Sequence, residues 1–217
     1  MLRIAVLASG RGSNLQALID AIEARGLDAA LVGVFSDKAD AKALVRARDA
    51  GIDAFALDPK TFATRAEFDH ALFEQIDTAR PDMIFCAGYL RLIDERVVSA
   101  RRGRIANIHP SLLPAFKGLR THQQALAAGV AEHGASVHFV TPDLDGGPVI
   151  AQARVPVQAG DTAETLAQRV LAREHPLLVE TARWLAAGRI GLSEDAVHVD
   201  GVASATPLQL GANNRFA

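Results

Sequence analysis

Asn107 and His109 stand two residues apart in the run Asn107-Ile108-His109-Pro110-Ser111-Leu112-Leu113-Pro114. On an extended backbone, side chains at that spacing point to the same side. An amide donor can polarise a carbonyl oxygen and stabilise an oxyanion. An imidazole exchanges protons near neutral pH. Pro110 and Pro114 restrict the loop that follows. Alone, the pair is better explained by two strand-end polar side chains satisfied by local backbone. Asp145, in Leu144-Asp145-Gly146-Gly147-Pro148, changes the weighing. Its loop glycines permit close backbone approach, and a carboxylate beside an imidazole orients it and favours its charged form. Amide, imidazole and carboxylate together suit acyl transfer to an amine without a covalent intermediate. No Gly-x-Ser-x-Gly nucleophile elbow occurs in the sequence.

A second feature is Ser9-Gly10-Arg11-Gly12-Ser13-Asn14. It resembles a dinucleotide fingerprint, but the third glycine position is Leu15. What remains is a monophosphate cradle: the backbone N–H groups of Gly12, Ser13 and Asn14 at a helix start. A tight turn with a Ser/Asn cap explains the stretch equally well. His122, His133 and His138 do not show a metal-ligand spacing and are expected to pack or line a polar surface. Arg173-Glu174-His175, before Pro176, is either a solvated helix face or a polar group aimed into a cleft. Arg65 is most simply an exposed first-turn residue, and Cys86 a small buried filler.

The elements that position these groups follow from hydrophobic periodicity. Continuous apolar runs predict strands over 2–8, 31–35, 53–57, 82–86 and 104–108. Between them lie helical patterns over 15–22, 39–50 and 65–79, the second stopped by Gly51 and the third opened by the capping box Thr64-x-x-Glu67. A short helix is expected after the 88–93 loop. This alternation predicts an α/β fold: a mostly parallel twisted sheet with helices on both faces. After residue 110 the rhythm changes. A helix is expected over 121–128, and strands over 135–140 and 148–155 are close enough in sequence to pair antiparallel. A long helix from Asp161 to Ala187 contains Pro176, which should kink it. Residues 190–202 suggest a hairpin through Asp200-Gly201, and 205–217 a loose tail. The expected organisation is one domain over 1–190, its N-terminal half binding phosphate and acceptor, with 191–217 a hairpin and tail.

The net charge of -2 offers no general attraction to nucleic acid or acidic membranes, so an anionic ligand needs a local site. One cysteine excludes an internal disulfide and a multi-cysteine metal site. No apolar run is long enough to span a bilayer, and the N-terminal apolar stretch meets a Gly-rich turn rather than an export signal. A cytoplasmic location is expected.

Taken jointly, 107–114, Asp145 in Leu-Asp-Gly-Gly-Pro-Val-Ile, Ser9-Gly-x-Gly-Ser-Asn14-Leu-Gln-Ala, Phe35-Ser36-Asp37-Lys38-Ala39-Asp40-Ala41 and 133–140 resemble the phosphoribosylglycinamide formyltransferases. These are folate-dependent enzymes of purine synthesis. The resemblance spans about residues 2–190. It implies a Rossmann-like formyltransferase fold, 10-formyltetrahydrofolate as donor and the amine of glycinamide ribonucleotide as acceptor, with no metal. It implies a catalytic trio of Asn107, His109 and Asp145, a phosphate cradle of Gly12, Ser13 and Asn14, and an acceptor contact at Glu174. It further implies a folate site lined by Arg65, Leu90, Arg91, Leu92, Ile93, Asn107, Thr141, Pro142, Asp143, Leu144 and Asp145. The implied partners are two small molecules, with no nucleic acid or membrane, acting on a monomer or homodimer. One departure is Lys117-Gly118-Leu119-Arg120, where many members carry Pro-Gly-Leu-His. Arg120 then either meets the acceptor's phosphate or faces solvent. Two relatives within the superfamily are alternatives. A methionyl-tRNA formyltransferase would carry a basic C-terminal domain, and a formyltetrahydrofolate hydrolase an N-terminal regulatory domain. The short stretch after residue 190, the net charge and the first strand at residue 2 disfavour both. A non-catalytic nucleotide-binding module would leave Asn107, His109 and Asp145 unexplained.

Overall fold

The structure is a computed structural model and describes residues 1–216. The chain divides into two compact units: Met1–Asn107 with Val140–Pro142, and Ile108–Phe139 with the residues from Asp143 onward.

The first unit is built on β1 (Leu2–Leu7), β2 (Ala29–Ser36), β3 (Ala54–Ala56), β4 (Met83–Cys86) and the start of β5 (Ile105–His109). Their order is β5-β4-β1-β2-β3, with every neighbouring pair parallel. Ile4, Ala5, Val6 and Leu7 of β1 are wholly buried, which is why that strand reads as one continuous apolar run. Helices α1 (Ser13–Glu23), α2 (Lys42–Asp49), α3 (Arg65–Thr78) and α4 (Glu95–Ser99) alternate with the strands. On α3 the stripe Phe68, Leu72, Phe73 and Ile76 recurs at helical spacing and packs with Phe35 and Ile84 into one core. Each such side chain contributes about 1.5–3 kcal/mol by leaving water. The Thr64 cap is formed: its hydroxyl accepts from the Glu67 N–H at 3.2 Å, and the Glu67 carboxylate reaches back to the Ala63 N–H. Gly51 adopts φ +70°, the left-handed stop expected after α2. The α1 cap differs from expectation. Ser13 is already helical, and Gly12 holds the cap position at φ +71° with no side-chain bond. Only glycine fits there, because a Cβ would sit 2.7 Å from the Ala43 Cα at the start of α2.

The second unit contains α5 (Thr121–Ala127), β6 (Glu132–Phe139), β7 (Val149–Pro156) and α6 (Ala163–Ala186). β6 and β7 pair antiparallel, as their closeness in sequence requires, with a bulge at Val137/His138. Parallel pairing thus dominates the chain, and the antiparallel addition lies in its C-terminal half. α6 lies against β6 and β7 and remains one helix through Pro176.

The region after α6 is more ordered than its composition suggests. β8 (Ile190–Ser193), β9 (Ala196–Val199) and β10 (Val202–Ala203) form a three-stranded sheet. Two two-residue turns join them, Glu194-Asp195 and Asp200-Gly201, each with both φ values positive. That is the turn geometry which matches strand twist. The expected loose tail is instead a strap. β11 (Leu208–Gln209) pairs with β7, and Arg173 and Glu180 on α6 bind residues 210–216. The α6 partners lie 35 to 41 residues upstream and the β7 partners farther still, so a local reading of the tail cannot see them.

Candidate active site

In the second unit, His109 ends β5 and is buried. Its Nε2 lies 3.0 Å from the Phe116 carbonyl. A carbonyl only accepts, so Nε2 carries the hydrogen and Nδ1 is turned the other way. There it meets Asp145, whose Oδ2 is 3.6 Å away. The same Oδ2 accepts the Gly118 N–H at 2.8 Å. On the carboxylate's other side, Oδ1 lies 3.7 Å from Nε2 of His138. The His138 ring is also fixed by a carbonyl, its Nδ1 being 2.9 Å from the Phe139 oxygen. Burial foremost lowers the His138 pKa, which favours a neutral ring. The Asp145 carboxylate thus lies between two imidazoles, each with its other ring nitrogen fixed by a backbone carbonyl. His138 was expected to pack or to line a polar surface; the structure places its Nε2 beside the carboxylate. Its signal in the sequence was absent, since a strand histidine at this position has no special spacing.

The loop after His109 is pinned from beneath by buried side chains. Ser136 donates to the Ser111 carbonyl at 2.7 Å and accepts the Leu113 N–H at 3.0 Å. Gln152 donates to the Leu113 carbonyl at 2.9 Å, and Thr121 to the Pro110 carbonyl at 2.7 Å. The Leu113–Pro114 peptide is cis. Rigidity here comes from these bonds as well as from the two prolines. Asp145 itself adopts φ +45°, a conformation that an aspartate tolerates better than most residues. Gly146 permits the turn: a Cβ there would lie 2.7 Å from that of Asp143.

His122 and His133 form a separate pair, Nδ1 to Nε2 at 3.1 Å. Burial lowers the His133 pKa to about 4. Among the described residues no group of three or more His, Cys, Asp or Glu side chains is placed to hold a metal ion. Glu174 is buried on α6, and Arg120 is exposed in a left-handed conformation before α5.

In the first unit, Asn107 lies two residues before His109 on β5. Gly12, Ser13 and Asn14 form the start of α1. The first turn of any helix leaves N–H groups without intrahelical acceptors and carries partial positive charge. Gly12 brings this turn against the start of α2, so two helix starts converge beside Gly10 and Gly12. Elsewhere in the unit a cavity of about 410 Å³ is lined by Arg65, Ala66, Leu92, Ile93, Asp94, Glu95, Arg96 and Pro142. Four of these belong to the expected folate set. Leu90, Arg91 and Thr141 do not line it, although Leu90 and Leu92 leave large apolar side chains exposed. Ala66 and 94–96, which continue directly from Arg65 and Ile93, line it as well. Asp69, wholly buried on α3, accepts the Asp94 N–H at 2.8 Å and so fixes the end of the 88–94 loop. Burial raises its pKa.

A family model described as formyl transferase matches residues 2–182. The phosphoribosylglycinamide formyltransferase of Escherichia coli is 48% identical over 200 residues, covering 92% of this chain and 94% of that protein. The solved phosphoribosylglycinamide formyltransferase of Coxiella burnetii is 46% identical, with a TM-score of 0.90 over 94% of this chain and 96% of its own. The glycinamide ribonucleotide transformylase 1 of Symbiobacterium toebii is also 46% identical, with a TM-score of 0.88 over 92% and 94%. The parallel sheet, the antiparallel C-terminal addition and the match over most of its length make this chain a member of the formyl transferase family.

Proposed function

We propose that this enzyme transfers the formyl group of 10-formyltetrahydrofolate to the amine of glycinamide ribonucleotide, a step of purine synthesis. The observation that carries the reading is the Asp145 carboxylate beside Nδ1 of His109, in a chain so similar to enzymes named for this reaction. The amine attacks the formyl carbon, and the C–N bond to the folate nitrogen breaks. Asn107 and the imidazolium of His109 stabilise the oxyanion that develops between those events. Asp145 holds His109 and takes part in moving the proton from the attacking amine to the departing nitrogen. Binding both substrates in line supplies further rate.

The start of α1 at Gly12, Ser13 and Asn14 suits the acceptor's phosphate. The cavity beside Arg65, Leu92, Ile93 and Pro142 suits the folate, and Glu174 contacts the acceptor. With Leu90, Arg91, Thr141, Asp143 and Leu144, these complete the proposed site. No helix among the described residues is long and apolar enough to cross a membrane; the proposed setting is the cytoplasm, with small-molecule substrates and a monomer or homodimer. The test supplies 10-formyltetrahydrofolate with glycinamide ribonucleotide, methionyl-tRNA or water as the only acceptor. Formylated glycinamide ribonucleotide is the expected product; preferential formylation of methionyl-tRNA, or hydrolysis alone, would reject the reading.

A further inference from the structure

The middle of α6 is its least self-supported turn. Pro176 has no N–H, so the Ala172 carbonyl lacks the usual helical donor. Glu174, the proposed acceptor contact, sits in that turn. The strap at residues 208–216 grips the helix on both sides of it. Before the proline, the Arg173 guanidinium donates to Asn214 Oδ1 at 2.6 Å and to the carbonyls of Leu210 and Gly211 at 3.1 and 2.9 Å. After it, the buried Glu180 carboxylate accepts from Arg215 at 3.0 Å and from the Phe216 N–H at 3.4 Å. Phe216 packs edge-on against Trp184, with ring centres 5.3 Å apart. The strap is itself tied to the sheet: β11 pairs with β7, and the Leu210 N–H donates to the Gln152 carbonyl at 2.9 Å. A helix turn that lacks one of its own bonds is thus referenced to β7 through a second path.

We propose that Arg173 is a positioning residue for acceptor binding: through the strap it fixes the α6 turn that carries Glu174. The argument rests on the formyl-transfer reading and on Glu174 as the acceptor contact. If the turn and the strap share one ordered state, binding at Glu174 must order the strap, and the strap must favour binding, by the same factor. The folate donor, held by other residues, lacks this coupling.

Two measurements test it. The first follows amide hydrogen exchange in the wild-type chain, with and without glycinamide ribonucleotide. Exchange over 208–216 should slow when the acceptor binds and stay unchanged when the folate product alone binds. The second compares Arg173→Gln and Arg173→Lys. The Gln variant should raise the KM for the acceptor about tenfold, with the folate KM unchanged; the Lys variant, which keeps donors and charge, should recover most of the loss. A merely structural role would move both KM values together and leave strap exchange indifferent to the acceptor. Unchanged strap exchange in an acceptor-saturated wild type overturns the proposal and leaves the formyl-transfer reading intact. So does an Arg173→Gln enzyme with an unaltered acceptor KM. Absence of any transfer by the wild type rejects that reading instead. Should Arg173→Gln fail to fold, the exchange measurement on the wild type still decides.

Discussion

At the scale of single residues, backbone carbonyls do much of the electrostatic work. The Phe116 and Phe139 oxygens each fix one ring nitrogen, so His109 and His138 both turn their other nitrogen to Asp145. The proximity of His109 and Asp145 was legible because each sits in a distinctive local run. His138 was not, because its approach to Asp145 joins two separate segments and no single-strand pattern encodes it. The His122–His133 pair makes a pH prediction. His133 is wholly buried, and burial lowers its pKa from 6.5 to about 4. The unfolded chain therefore takes up this proton first as pH falls. The stability contributed by a neutral His133 is full above pH 6.5 and is lost progressively down to about 4. Urea denaturation across this window should show a slope that His133→Gln flattens, by at most about 1.4 kcal/mol per pH unit. Equal slopes for both proteins would count against this assignment.

At the scale of elements, the loop after His109 is held by strands that lie beneath it. Ser136 on β6 bridges the Ser111 carbonyl and the Leu113 N–H, while Gln152 on β7 takes the Leu113 carbonyl. Replacing Ser136 by Ala leaves a buried N–H and carbonyl without their partner, a cost of about 1–3 kcal/mol. Denaturant titration should report that loss, and kcat should fall as the loop slackens. A Ser136→Ala protein with wild-type stability would show that the Ser136 bridge is not what holds the loop. The strands and most helices were legible, since each buries a face with its own period: β1 as a continuous run, α3 as a helical stripe. The exceptions have a common cause. The Gly12 cap of α1 is set by Ala43, and the strap by Arg173 and Glu180. Contacts between residues distant in sequence override the local preference in both cases.

At the scale of the whole molecule, the fold keeps its one thiol out of chemistry and spends its polar groups at strand ends. Burial pushes the Cys86 thiol up to about 12, and the side chain lies within the core formed by β4 and α3. Thiol reagents act on the thiolate, so labelling at neutral pH should wait for unfolding and accelerate with denaturant as the global opening does. Prompt labelling of the native protein would mean that β4 opens independently. The proposed phosphate cradle, the cavity near Arg65, His109 and Asp145 come from widely separated parts of the sequence. The central claim is that the His109–Asp145 pair drives direct formyl transfer to glycinamide ribonucleotide. Single-turnover transfer from 10-formyltetrahydrofolate, measured for the wild type and for Asp145→Asn with both substrates saturating, tests it most directly. The expected result is efficient transfer by the wild type and a loss of about 10²–10⁴-fold in the variant. Undiminished transfer by Asp145→Asn would contradict it.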